Sequence, residues 1–442
     1  MDHLHTVTQW EVFRNRKRIL KNPLPFHREN FEKYGNLFQV RIGSGRTVVF
    51  TRDAAAIRHI LQKQHRKYEK SSLQTEDLAK YIGRGILTAE GEHWRTHRRM
   101  VQPAFHRKKL EGLLGIMQAA IEMELERILP GREEDVFPLM GDLAFQVVAK
   151  SLFSRNDIGE RMVRLKQITD RNQRMLIREM RQPYLKWWFR LSGQIRKHLR
   201  HSEESRQLLN EIIEERVASR AERDDLLDML LNARYDDGTP MPRKQLIDEV
   251  LILFTAGHET TANALSFSLY LLARNPEVQE KLFLEVSQPT FDVGEQIRQP
   301  PGGITFLQQC IEEAMRLYPP VYVIDRVSQE DDSIGKFNFP GGTLFLLSIF
   351  ELHRSVEFWE KPDLFMPERF ARVNRKALGD YYHPFGAGPR MCVGNNFALY
   401  EMQMVLTSIL RRYRVQTKLE QLSINPLISL KPGEVPLTFS LR

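Results

Sequence analysis

The stretch His383-Pro384-Phe385-Gly386-Ala387-Gly388-Pro389-Arg390-Met391-Cys392-Val393-Gly394 decides how this chain is read. It holds one of only two cysteines in 442 residues. Three glycines bracket Cys392, and Pro389 and Arg390 stand just before it. Such a composition describes a constrained turn whose backbone approaches something closely. Asn395–Arg411 follows, with Phe397, Leu399, Met402, Met404, Val405 and Ile409 at roughly helical spacing. Cys392 is therefore expected at the mouth of a helix N-terminus, where free N–H groups and the positive dipole end favour a thiolate. A thiolate held this way is a nucleophile, a redox thiol or a metal ligand. A buried cysteine behind a glycine-rich turn is the plainer alternative.

Phe385, Gly388, Arg390, Cys392 and Gly394 fall in register, and the loop they form resembles the haem-binding loop of the cytochrome P450 monooxygenases. In that family the cysteine thiolate is the proximal ligand of haem iron. The resemblance implies a mainly α fold with a small β-rich lobe, as one domain over residues 1–442. The β-rich portions are expected near 35–52 and 320–350. Haem b would lie buried between a long distal helix and the Cys392 loop. Cys392 becomes the expected metal ligand, and Phe385, Arg390 and Gly394 join it in the cofactor site.

Composition agrees with a soluble globular chain: 42% hydrophobic and 27% charged residues. A chain of this length can bury a large core and a sizeable cofactor. Cys310 and Cys392 allow no disulfide framework, which fits a reducing compartment. Residues 1–26 are polar and basic, without a signal-peptide run. No stretch approaches the ~20 apolar residues that span a bilayer. A cytoplasmic protein without a transmembrane segment is expected. The net charge of +9 suits an anionic partner or surface. The basic clusters interleave with no nucleic-acid motif, so solvated faces are the default reading.

Taken in order, Phe38–Thr51 alternates around Gly43-Ser44-Gly45 and predicts a hairpin. Asp53 suits the N-cap of a helix over Ala54–Gln62. Tyr68–Gly91 is expected to be loop-rich. A helix begins near Glu92, and Trp94 and Arg98 share one of its faces. The resemblance makes both donors to a haem propionate, which would otherwise carry a heavy desolvation cost. A basic surface helix with an anchoring Trp is the alternative. Leu110–Arg220 is mostly helical by periodicity. Within it, Gln182–Arg190 joins Trp187 and Trp188 to other aromatics and bases; helix packing is expected, with a membrane surface or a substrate entrance as rivals.

The longest helix is expected over Arg243–Arg274, from Pro242 to Asn275-Pro276. Gly257, Thr260 and Thr261 are locally unfavourable at its centre, which points to a functional site. Ala256 and Gly257 would leave room over a flat cofactor, and the Thr260 hydroxyl can reach the Ala256 carbonyl. The segment resembles the family's oxygen-activating stretch, which makes Glu259 and Thr260 the expected catalytic pair for proton supply. A polar helix face is the alternative.

Glu313 and Arg316 sit three apart on a helix over Leu307–Leu317. By resemblance they form a buried ionic network with Arg369 that locks the fold. Arg326 is expected at a haem propionate. Ala256, Val321, Tyr322 and Ile324 are candidates to line the substrate pocket, while Tyr322, Asp325 and His258 could add polar groups to it. Phe337–Ile349 reads as turn and strand, and Leu422–Leu441 as short strands.

The motifs follow the family's order through nearly the whole chain. A haem-thiolate monooxygenase is expected, inserting one atom of O2 into a small organic substrate by hydroxylation, epoxidation or oxidative demethylation. Its substrate is expected to be lipophilic (a fatty acid, terpenoid or carotenoid), with demethylation of a polar methyl ether or sugar derivative as the alternative. The chain has no dinucleotide fingerprint and too few cysteines for an iron–sulfur cluster. A separate ferredoxin or flavodoxin with its reductase is implied, NAD(P)H acting only through them, and docking is expected near Arg95 and Arg99. A monomer that binds no nucleic acid is expected. A peroxide-using haem-thiolate enzyme, a non-catalytic haem sensor and a haem-free nucleic-acid binder are the rivals.

Overall fold

Phe38, Val40, Val48 and Phe50 alternate along two strands and turn inward, where Phe38 and Phe50 stack with ring centroids 5.2 Å apart. The opposite face is buried as well, with Val49, Phe345 and Leu347 in a second apolar cluster. The strands belong to a six-stranded sheet in the order β1 (Thr6–Val7), β2 (Leu37–Ile42), β3 (Arg46–Thr51), β9 (Leu344–Ser348), β6 (Val323–Ser328) and β4 (Tyr68–Glu69). β2 pairs antiparallel with β3, and β3 runs parallel to β9. The two expected β-rich portions thus meet in one sheet. The computed structural model describes residues 4–42, 46–154, 158–220, 222–298 and 303–442, so the expected Gly43-Ser44-Gly45 turn lies outside the described residues.

The C-terminal strands pair elsewhere. β10 (Tyr413–Gln416), β13 (Pro436–Leu441) and β5 (Glu133–Asp135) form one small sheet. β11 (Ile424–Pro426) and β12 (Leu430–Pro432) make a hairpin, as do β7 (Asp332–Ile334) and β8 (Phe337–Phe339).

Helices make up most of the remainder. Those that position the site are α1 (Gly91–Val101), α2 (Val136–Phe153), α3 (Gly159–Arg181), α4 (Lys186–Leu191), α5 (Gln194–Ser219), α6 (Arg243–Arg274), α7 (Phe306–Leu317) and α8 (Asn395–Arg412). α6 has the bounds read from the sequence. Pro242 starts it and Asn275 ends it. Its 32 residues would span about 48 Å at ~1.5 Å per residue. It is buried on nearly every side because α2 packs along it and α5, α7 and α8 cross it. One apolar cluster runs from Leu24 to Phe439 around it.

α2 corrects one expectation. It is long and apolar enough to cross a membrane by length and composition, but 67% of it is buried inside the fold. Its apolarity serves contact with α6. Tyr68–Gly91 is less loop-like than expected, for it holds β4, helical turns over Leu73–Leu78 and a short helix, Ala79–Ile82. Asp53 does cap its helix, accepting from Ala56 N at 2.7 Å, but the α-helix stops at Arg58 and a wider turn carries the chain to Lys63. The packing reading of Gln182–Arg190 is overturned. Only Phe189 is buried, while Trp187 and Trp188 are 60% and 49% exposed.

Candidate active site

The loop before α8 is tied by its own backbone. Cys392 N donates to Phe385 O at 2.9 Å, Met391 N to Gly388 O at 3.0 Å and Gly386 N to His383 O at 3.1 Å. Gly388 has φ +71°, and a Cβ there would lie 2.0 Å from the Leu61 carbonyl oxygen. No other residue satisfies both demands. Cys392 is surrounded by protein yet keeps accessible surface, as a side chain lining an internal site does. Burial pushes its thiol up, and the Gly394 N–H and Arg98 pull it back only in part.

Arg98 reaches this loop. Its Nη1 donates to Met391 O at 2.7 Å and its Nε to Gln102 Oε1 at 3.0 Å, so part of its capacity is spent on protein. Trp94 is buried beneath the Arg390 guanidinium, 5.1 Å from the ring centroid. Arg390 donates to Tyr68 O at 2.7 Å and to Glu90, but its buried Nε has no partner. Arg326 is buried too, with its Nη1 on the Asp325 carbonyl at 2.7 Å. Burial, with Arg390 adding to it, pushes Arg326 down to about 10.

Lys70 joins these two arginines and carried no signal in the sequence. It is a lone lysine at a strand end, brought in by the fold. Its Nζ donates to Ala89 O at 2.8 Å and Ile86 O at 3.3 Å. Burial pushes it down to about 7 against the opposing pull of Glu90, with Arg390 and Arg326 adding to the depression. These three cations thus face three carboxylates, Glu90, Glu69 and Asp325. Asp325 already accepts from Ser71 N at 3.0 Å and from Gln74.

On α6, the Thr260 hydroxyl donates to Ala256 O at 2.9 Å and the Thr261 hydroxyl to Gly257 O at 3.0 Å. Ala256, Glu259 and Thr260 keep accessible surface at mid-helix. Gly257 also lies close to a neighbouring helix. A Cβ there would meet Val148 Cγ2 at 3.2 Å, so the glycine admits the close approach of α2. Glu259 is not hydrogen-bonded to Thr260. It accepts from the Ser429 hydroxyl and lies 3.2 Å from Lys431 Nζ. Burial pushes its carboxyl up, but Lys431, Ser429 and His258 outweigh that and hold it below the ordinary value.

The polar pocket candidates are occupied. Tyr322 donates to Leu427 O at 2.9 Å. His258 is buried, with Nδ1 2.9 Å from Phe254 O and its ring against Phe145 of α2. Val321 is exposed and Ile324 half-buried, its Cδ1 near Gly386 of the cysteine loop.

The ionic network forms in full. Arg316 Nε and Nη2 donate to Glu313 at 2.7 and 2.8 Å, and Arg369 Nε donates to Glu313 Oε1 at 3.0 Å. The surplus positive charge is met by carbonyls, among them His353 O at 2.8 Å and Pro362 O at 2.6 Å. Among the described residues no group of three or more His, Cys, Asp or Glu side chains is arranged so that it could hold a metal ion. A metal at Cys392 would take its other donors from a macrocycle or a small ligand.

The sequence matches the Cytochrome P450 family over residues 6–439. The chain belongs to the cytochrome P450 family. Putative cytochrome P450 132 of Mycobacterium bovis is 30% identical over 383 residues, covering 82% of this chain and 80% of that protein. Cytokinin hydroxylase of Arabidopsis thaliana is 30% identical over 406 residues, covering 89% and 78%. The crystal structure of a cytochrome P450DA mutant heme domain superposes with a TM-score of 0.82, at 23% identity over 95% of this chain and 93% of that one, and shows the shared fold. The protein is thus a cytochrome P450 monooxygenase with haem b as cofactor, acting on a small molecule with O2 and electrons from a redox partner.

Proposed function

We propose that Cys392 would supply the sulfur that holds the iron of haem b in this P450 and that Lys70, Arg326 and Arg390 would receive its two carboxylates. The partnerless buried Arg390 Nε and the crowding of three cations at one place favour this fit, since a buried donor without an acceptor is costly. Trp94 and Arg98 then brace the same side, Phe385 and Gly394 belong to the loop that presents the sulfur, and the Gly394 N–H tunes it. When bound, haem supplies the reductive dioxygen chemistry that puts one oxygen atom into substrate and one into water. On this reading Glu259 and Thr260 handle protons. The Thr260 hydroxyl stands fixed on Ala256 O, and Glu259 exchanges protons with solvent beside Lys431.

The substrate in this reading is lipophilic, a fatty acid, terpenoid or carotenoid. One observation carries that choice: the Tyr322 hydroxyl, the Asp325 carboxylate and the His258 ring are all engaged by protein groups, so the candidates for polar recognition are spent. Electrons come from a separate ferredoxin or flavodoxin with an acidic face. Arg95 and Arg99 are exposed but partly neutralised by Glu92 and Asp236, so Lys108 and Lys109, just beyond Phe105 beside Gly394, extend the docking face. Reduction that slows steeply with salt supports this, and salt-independent reduction contradicts it.

A visible titration of the ferric protein with lipophilic and polar compound panels tests the substrate class. A spin-state shift with fatty acids, terpenoids or carotenoids supports it. A shift confined to polar methyl ethers or sugars overturns it.

A further inference from the structure

The acid of the proton pair is held by a remote part of the chain. Glu259 accepts from the Ser429 hydroxyl and faces Lys431 Nζ at 3.2 Å. Asn263, one turn along α6, donates to Ser429 Oγ at 3.1 Å and orients it. Ser429 and Lys431 flank Leu430, which is fully buried and whose N–H donates to Pro320 O at 2.8 Å. The turn of the same β11–β12 hairpin accepts the Tyr322 hydroxyl at Leu427 O, 2.9 Å away. Pro320 and Tyr322 therefore fasten the piece of chain that holds Glu259.

We propose that Ser429 and Lys431 are positioning residues that keep Glu259 turned away from Thr260, and that Tyr322 couples the substrate pocket to this clamp through the hairpin. The proposal rests on reading Glu259 and Thr260 as the proton-handling pair. At rest Glu259 is a carboxylate in a contact with Lys431. A molecule that presses on Tyr322 loosens the hairpin. Glu259 then takes one proton from solvent, passes it toward the Thr260 hydroxyl and returns to carboxylate. The charged or titratable groups facing Glu259 are Lys431 on the hairpin and His258 on its own helix, which sits beside Asp170 and Lys166.

Infrared difference titration of the holoenzyme reads the Glu259 carboxyl directly, with Glu259→Gln assigning the band. Lys431→Gln is expected to raise the protonation midpoint by at least one pH unit, a tenfold change in equilibrium. Lys431→Arg is expected to restore it. Tyr322→Phe touches neither partner and is expected to raise the midpoint by a smaller amount. A midpoint unmoved by Lys431→Gln overturns the clamp, and one unmoved by Tyr322→Phe overturns the coupling. Failure of the chain to bind haem would instead count against the site reading, and the absorption spectrum of the same sample reports it.

Discussion

Arg98 Nη1 donates to the carbonyl of Met391 at 2.7 Å, which fastens α1 to the residue before Cys392. The contact joins two segments nearly three hundred residues apart in sequence at the point where the sulfur is presented. A hydrogen bond from a charged donor contributes roughly 1.5–3 kcal/mol. Arg98→Leu is expected to speed haem transfer to an acceptor protein by about tenfold or more, with far-ultraviolet circular dichroism unchanged.

Gly388 is the least replaceable residue of the loop. Its φ of +71° and the 2.0 Å approach to Leu61 O oppose any side chain. Gly388→Ala is expected to lose several kcal/mol, since strain and overpacking each cost ~1–3 kcal/mol. Purified variant protein should have a low haem-to-protein ratio, whereas Gly394→Ala, with only Phe105 at 3.7 Å, should keep most of it.

The Glu313–Arg316–Arg369 network is a matter of folding rather than chemistry. Glu313 and Arg316 have no exposed surface. Glu313→Ala leaves two arginines without their carboxylate, and breaking such a buried pair costs about 3–5 kcal/mol. The expected outcome is insoluble or haem-free protein. Arg369→Lys keeps charge, and its half-buried position predicts a milder fall in melting temperature.

Glu312 gives the stability a pH dependence. Burial pushes its carboxyl up to about 7 against the pull of Arg375. The folded state therefore holds a proton that the unfolded chain releases from about pH 4.5 upward. Stability tied to this group is full below that point and is lost as pH rises to about 7. The loss is on the order of 3 kcal/mol, at 1.36 kcal/mol per unit. Glu312→Gln is expected to flatten that slope in denaturant melts between pH 5 and pH 7 and to stabilise the protein at neutral pH.

Much of this was legible in the residues themselves. Pro242 and Asn275 mark both ends of α6, and the glycines around Cys392 announce a turn that only glycine can make. Glu313 and Arg316 are helical neighbours, so their pairing was visible, and Arg369 completes it from a later segment. What stayed hidden depends on contacts far along the chain. Lys70 becomes a site residue only because β4 pairs with β6 and brings it beside Arg326 and Arg390. Lys431 meets Glu259 across 172 positions through a hairpin with no motif of its own. The close approach of Val148 to Gly257 was hidden too, because a small residue at mid-helix carries no mark of its helix neighbour. Trp187 and Trp188 were assigned to packing because large aromatics are usually buried, and the one inward residue there is Phe189.

The account depends most on sulfur ligation by Cys392. The direct measurement is the absorption spectrum of the reduced, carbon monoxide-bound holoenzyme, with Cys392→His beside it. The account predicts the long-wavelength band of thiolate-bound haem in the natural protein and a shift to the short-wavelength, imidazole-type band in the variant. A short-wavelength band in the natural protein, or a long-wavelength band that survives Cys392→His, would contradict it.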